Sequence, residues 1–312
     1  MHPIIWKLHC IKSEGGWYVS GTVLKKDQPP QKIEGNWWTT FKSTIQTYFA
    51  KPYQGGIKAF WKDGGQNTST NSDGIFSFEC GSLDPDTIRF ETSEGLKIEK
   101  NQTYPISFDM RKTPYMVISD IDDTILVSNS EQFFSKIWLM LFRQTDKRNF
   151  VEESEKAYRK LASAGIPFSY VSASEQNLFA TITNFLIFHD LPIGPVFLRP
   201  YTHWKDLLKA KSRENYKVNR MMKLIKQFPE TRFALFGDDS QQDPLAFKSI
   251  LANFPNQIDT IMIRKTGSGN NETEIADLRN LATSKVRFAH YSEFKDIESI
   301  INEIGREYSV RS

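Results

Sequence analysis

Apolar and polar positions alternate along the first third of the chain. In GWYVSGTVL, apolar Trp17, Val19, Val23 and Leu24 fall between small or polar residues, the rhythm of a strand with one buried face. GIKAFW and GIFSFE are short apolar runs bounded by turn residues, and NTSTNSDG, ending at Gly74, reads as a turn feeding a strand. These runs predict a small antiparallel β-sandwich. Trp38, Phe41, Ile45 and Tyr48 keep helical spacing, so one helix is expected to cross it.

From Tyr115 the rhythm changes. The apolar runs YMVIS, PFSYVSA, PVFLRP, RFALFGD, DTIMIRK and VRFAHYS read as strands. Between them lie helix-length amphipathic segments: FVEESEKAYRKLASAG, EQNLFATITNFLIFHD, YKVNRMMKLIKQFP, DPLAFKSILANFP and ETEIADLRNLATS. Val218, Met221, Met222 and Ile225 share one face of the third. This alternation predicts an α/β fold, a doubly wound parallel sheet with helices on both faces. Pro114 punctuates the entry, which gives a β-rich domain at 1–112 and an α/β domain at 113–312.

Composition narrows the class. The chain has 312 residues, 39% hydrophobic and 25% charged, ordinary for a soluble globular protein with room for two domains. A net charge of +3, with no basic block, gives no reason to expect nucleic acid. Cys10 and Cys80 are too few for a disulfide framework. Two reduced thiols are expected, and a single bridge stays open. Lys7 interrupts the apolar start, so no signal peptide is expected, and no apolar run is long enough to span a bilayer. The expected setting is cytoplasmic, with peripheral membrane contact as the alternative.

In such a sheet, sites lie beyond the carboxyl ends of strands. The first α/β strand ends in Asp120, Asp122, Asp123 and Thr124, the second in Ser172 and Ser174, and the fourth in Gly237, Asp238 and Asp239 with Asp243 following. Lys217 precedes that fourth strand. Carboxylates, hydroxyls and an ammonium would thus meet at one edge. DIDDTILVSNSE also fits the spacing of a calcium loop, with Asp120, Asp122, Thr124 and Glu131 at ligand positions one, three, five and twelve and the apolar Val127 at position eight. Ile125 argues against that loop, because the sharp turn at its place normally needs glycine. The preceding element is also a strand rather than a helix.

These motifs resemble the haloacid dehalogenase superfamily: DIDDT as its first motif, Ser172 in SYVSAS as its second, Lys217 as its third, and GDDSQQD with Asp238 and Asp243 as its fourth. SDIDDTI, YVSAS, LPIGPVFLR, LFGDDSQQDP and IMIRK together resemble the actin-patch-associated phosphatidate phosphatase family, over roughly Tyr115 to Tyr291. Two positions depart from that pattern. SASEQ lacks the expected Asn and Pro, and GDDSQ lacks the Ser and Gly that commonly follow the first Asp. The resemblance implies a haloacid dehalogenase-like fold and a Mg²⁺-dependent phosphatidate phosphatase. Asp120 would be its nucleophile and Asp122 its general acid and base. Ser172 and Lys217 would hold the phosphoryl group, and Thr124 the loop geometry. Asp120, the backbone carbonyl of Asp122 and Asp238 would ligate the metal, with Asp243 ligating through water or orienting. Asp123 and Asp239 are expected to be solvated loop carboxylates.

The substrate is less determined. Residues 133–148, FFSKIWLMLFRQTDKR, join an apolar run to Arg143, Lys147 and Arg148. A helix packed on the sheet suits this pattern, as does an interfacial segment that reaches a phospholipid. Arg199, Lys205 and Arg264 would add anion contacts, or only surface solubility. Soluble phosphomonoesters are an alternative substrate class, and an inactive phosphatase-like binding protein is an alternative function. Aromatics make up 13% of the chain. In the β-rich part, Trp37, Trp38, Phe41, Tyr48, Phe49, Tyr53, Phe60 and Trp61 would form core, a partner surface or a membrane contact.

Overall fold

A computed structural model describes residues 2–26, 50–121, 124, 152–200, 210–239, 242–267, 271–282 and 285–311. The helix expected around Trp38, and the 133–148 segment, lie outside the described residues, as do Asp122, Asp123 and Lys205. The chain divides into two compact units. One takes the described residues of Met1–Arg111, Glu175–Phe185 and Pro200–Lys205. The other takes those of Lys112–Ser174, Leu186–Arg199 and Asp206–Ser312.

The first unit is strand-rich. Strand β1 (His2–Ser13) pairs antiparallel with β2 (Gly16–Lys26), which also pairs with β3 (Lys51–Pro52) and β6 (Ile75–Cys80). Strand β4 (Gly56–Trp61) joins β5 (Gly64–Ser69) to β7 (Arg89–Thr92), and β7 pairs with β8 (Lys97–Lys100). All of these are antiparallel, as expected of short strands joined by turns. The departure lies at β1, which pairs parallel with β8 and with β9 (Ser107–Asp109). Nearly every residue of β1 is buried, so it takes partners on both edges, and period two says nothing about strand direction. Trp17, Val19 and Val23 turn into one core with Ile57, Phe76 and Phe90, as expected. Tyr53 and Trp61 pack against that core, whereas Phe60 is largely exposed. Gly74 adopts φ +73°, and a Cβ there would meet the Val23 carbonyl at 2.4 Å; the turn before β6 needs glycine. Both cysteines are free thiols.

Glu175–Phe185 belongs to this unit through specific contacts. Trp6 Nε1 donates to the Gln176 carbonyl at 3.2 Å and Thr22 Oγ1 to Gln176 Oε1 at 3.1 Å. Phe179 packs against the rings of His9 and Tyr104.

The second unit follows the expected alternation. Strands β10 (Tyr115–Ser119), β11 (Phe168–Glu175), β12 (Val196–Arg199), β13 (Arg232–Asp238), β14 (Ile258–Arg264) and β15 (Arg287–Tyr291) form one sheet. Their order is β12-β11-β10-β13-β14-β15, and the register is parallel at β10–β11, β10–β13, β13–β14 and β14–β15. The helices in chain order are α1 (Glu152–Ser163), α2 (Phe179–Phe188), α3 (Ala210–Gln227), α4 (Asp243–Asn253), α5 (Glu272–Leu281) and α6 (Glu298–Arg311); α2 up to Phe185 belongs to the first unit. Helix α6 is an addition to the sequence reading. Every residue of β10 is buried, as a central strand covered on both faces requires. The order reverses between β10 and β13, so the carboxyl ends of these two strands open a crevice. Among the described residues no helix is long and apolar enough to cross a membrane.

Charge holds the opposite edge. Asp259 accepts from Tyr115 at 2.8 Å and from Arg232 at 2.7 Å, and it also pairs with Arg287. Arg287 reaches Glu307 on α6 at 3.0 Å. Burial alone would raise the Asp259 carboxyl; the Arg287 hydrogen bond and charge outweigh it and hold the pKa below the usual carboxylate value. A depressed folded pKa stabilises above the unfolded value of about 3.9, and that stability is lost as pH falls through the lower folded value. Asp259→Ala should therefore cost about 3 kcal/mol near neutrality, read as a lower urea midpoint. The gap to wild type should shrink when the titration is repeated below pH ~4.

Candidate active site

The crevice between β10 and β13 receives side chains from four elements. Asp120 leaves β10, and its backbone N–H donates to the Phe236 carbonyl at 2.8 Å, which ties the exit of β10 to β13. Asp238 ends β13. Asp243 opens α4 and is followed by Pro244 in the first turn, where proline suits a helix start. Lys217 comes from α3. That helix is fixed beside β12 by Tyr216, whose hydroxyl donates to the Leu198 carbonyl at 2.6 Å. The Arg220 guanidinium adds a stack 3.6 Å over the Phe197 ring.

The carboxylates of Asp120, Asp238 and Asp243 lie within 4.8 Å of one another, and all three residues are fully buried. The Lys217 ammonium sits 2.9 Å from Asp120 Oδ1 and 2.6 Å from Asp243 Oδ1. The Asp238 N–H donates to the second Asp243 oxygen at 3.2 Å. Buried charge at this density is costly unless it is paired, and one ammonium balances one of the two carboxylates it touches. The donor set is three hard oxygens, which suits a divalent cation of the Mg²⁺ or Ca²⁺ type better than a soft metal.

The structure thus brings together four of the residues singled out in the sequence: Asp120, Lys217, Asp238 and Asp243. Ser172 is also fully buried, on β11, and its hydroxyl accepts from the Ser174 N–H at 2.9 Å. Thr124 is buried, with no partner for its hydroxyl among the described residues. Asp243 stands as an ion-pair partner of Lys217, a role not read from the sequence. Arg199 is buried rather than a solubilising surface group; its Nε donates to the Ala173 carbonyl at 3.2 Å, between the two serines. Arg264 is partly exposed and donates to the Lys265 carbonyl at 3.2 Å.

Asp239 is the clearest correction. A solvated loop carboxylate was expected, but only 5% of the residue is exposed. Its Oδ1 accepts from the Thr266 N–H at 2.8 Å and from the Thr266 hydroxyl at 2.6 Å, and Oδ2 lies 3.0 Å from His290 Nε2. Burial would raise this carboxyl, yet the Thr266 and His290 hydrogen bonds prevail and hold it below the usual range. Those partners follow β14 and lie on β15, so no local motif marks them.

Part of the chain is similar to known proteins. Residues 115–265 match the family model described as phosphatidate phosphatase APP1, catalytic domain. Phosphatidate phosphatase APP1 of Saccharomyces cerevisiae is 29% identical over 172 residues, 53% of this chain, and the match spans 28% of the yeast protein's length. Two solved structures overlap weakly. A HAD family hydrolase from Deinococcus radiodurans R1, with bound phosphate and sodium, gives a TM-score of 0.34 at 15% identity, covering 62% of this chain and 97% of that one. The cobalt-bound deoxy-D-mannose-octulosonate 8-phosphate phosphatase of Haemophilus influenzae gives 0.32 at 13%, covering 64% and 93%.

Gly237 gives a test of the site's packing. A Cβ at this position would stand 2.5 Å from Asp243 Oδ2 and 2.9 Å from the Phe247 ring. Gly237→Ala should displace the Asp243 carboxylate from Lys217 and cost about 1–3 kcal/mol, measured as a lower denaturant midpoint of the metal-free protein. The resemblance read from the motifs holds at the level of sequence: residues 115–265 of this chain carry the match to the phosphatidate phosphatase APP1 catalytic-domain family.

Proposed function

We propose that residues 113–312 form a Mg²⁺-dependent phosphatase domain behind a β-sandwich-like domain of residues 1–112. Its reaction is hydrolysis of phosphatidate to diacylglycerol and phosphate. The observation that carries the reaction type is the buried trio of Asp120, Asp238 and Asp243 within 4.8 Å, with Lys217 bridging two of them, at the switch point of a parallel sheet. The lipid substrate is supported by the match of residues 115–265 to a catalytic domain described as that of a phosphatidate phosphatase.

A phosphomonoester is anionic, so an anionic nucleophile needs shielding. Mg²⁺, held by Asp120, the Asp122 main-chain carbonyl, Asp238 and Asp243, would offset charge on the phosphoryl oxygens as the transition state forms. Asp120 attacks phosphorus, forming an aspartyl-phosphate and breaking the bond to the leaving oxygen. Asp122 protonates that oxygen and later takes a proton from the hydrolytic water; its role rests on its spacing of two from Asp120. Lys217 and Ser172 hold the phosphoryl oxygens. The ion pairs to Asp120 and Asp243 hold the Lys217 ammonium beside the nucleophile. Thr124 fixes the loop after the nucleophile. The protein acts in the cytoplasm, with peripheral access to membranes.

Asp120→Asn should lower phosphate release by about 10⁴-fold or more, while its thermal unfolding stays cooperative. Wild-type protein should release phosphate from phosphatidate micelles with Mg²⁺, and chelator should abolish the release. Turnover confined to a soluble phosphomonoester panel would overturn the lipid assignment and leave the chemistry standing.

A further inference from the structure

Asp239 directly follows Asp238, yet its side chain faces other partners. Thr266, in the loop after β14, gives it two hydrogen bonds, at 2.8 and 2.6 Å. His290 on β15 gives a third at 3.0 Å. The backbone is held as well: the Asp239 N–H donates to the Arg264 carbonyl at 3.0 Å, and Asn271 Nδ2 donates to the Asp239 carbonyl at 2.7 Å. Donor and acceptor groups of one residue are thus fixed from the end of β14, the loop after it, the start of α5 and β15. We propose that Asp239 is a positioning residue for Asp238. Its clamp by Thr266 and His290 sets the exit of β13 so that the Asp238 carboxylate meets those of Asp120 and Asp243.

The proposal rests on the metal reading above. Partners behind a ligand set its orientation, and losing them weakens metal binding by about 10–100-fold. Two variants separate positioning from charge. Asp239→Asn keeps the shape and removes a negative charge near the cation. Thr266→Val keeps the shape and the charge but removes the shorter hydrogen bond.

Mn²⁺ binding to the purified full chain, followed by electron paramagnetic resonance and calorimetry, is the test, with thermal unfolding of the metal-free forms alongside. Asp239→Asn should bind Mn²⁺ about 10–100-fold more weakly. Thr266→Val should also bind measurably more weakly, with an altered Mn²⁺ spectrum and a metal-free melting point close to wild type. Weakening in Asp239→Asn alone would reduce the effect to charge and overturn the positioning role. Wild-type affinity in both variants would overturn it outright. If the wild type itself took up no Mn²⁺, the metal reading would fail and this proposal with it.

Discussion

Three carboxylates within 4.8 Å, all fully buried, stay ionised together only with positive charge in the same volume. Lys217 supplies part of it, contacting Asp120 and Asp243. The surrounding structure serves this contact. Tyr216 and Arg220 fix α3 beside β12, which brings the ammonium inward. Gly237 has no Cβ, which leaves room for the Asp243 carboxylate. The Asp120 N–H bonded to Phe236 locks together the two strand exits that carry Asp120 and Asp238. A divalent cation among these oxygens would complete the balance, and the same charge would draw in a phosphoryl group.

Sheet topology explains why the groups meet where they do. The chain adds strands outward on one side of β10, then crosses to begin again at β13. Neighbouring exits at such a reversal diverge, which opens space for a ligand. The amino edge of the same sheet is closed by Asp259, Arg232, Arg287 and Glu307. Both edges concentrate buried charge. At the Asp259 edge arginines meet the carboxylates, whereas at the Asp120 edge carboxylates outnumber the ammonium that bridges two of them.

Much of this was legible in the chain because the cues are local. The change from period two to strand–helix alternation marks the start of the α/β part near Tyr115, and acidic strand ends mark the crevice. What was not legible depends on distant partners. Asp239 sits in the same acidic run as Asp238, and nothing nearby shows that Thr266 and His290 will bury it. The parallel pairing of β1 with β8 and β9 is invisible to alternation, which is the same for both strand directions. Gln176 looks like the start of a helix on the α/β sheet, yet it bonds Trp6 and Thr22 of the first unit. Helix α6 differs in kind. Ile297, Ile301 and Ile304 are buried at helical spacing, so its signal is local and present in the chain.

The most direct test of the proposed chemistry is chemical trapping of the protein in the presence of substrate. Protein quenched in acid while hydrolysing radiolabelled substrate should carry the phosphoryl label on the peptide that contains Asp120. Hydroxylamine should release that label, as it does from an acyl phosphate. Label that resists hydroxylamine, or that maps to Ser172 instead, would contradict Asp120 as the nucleophile.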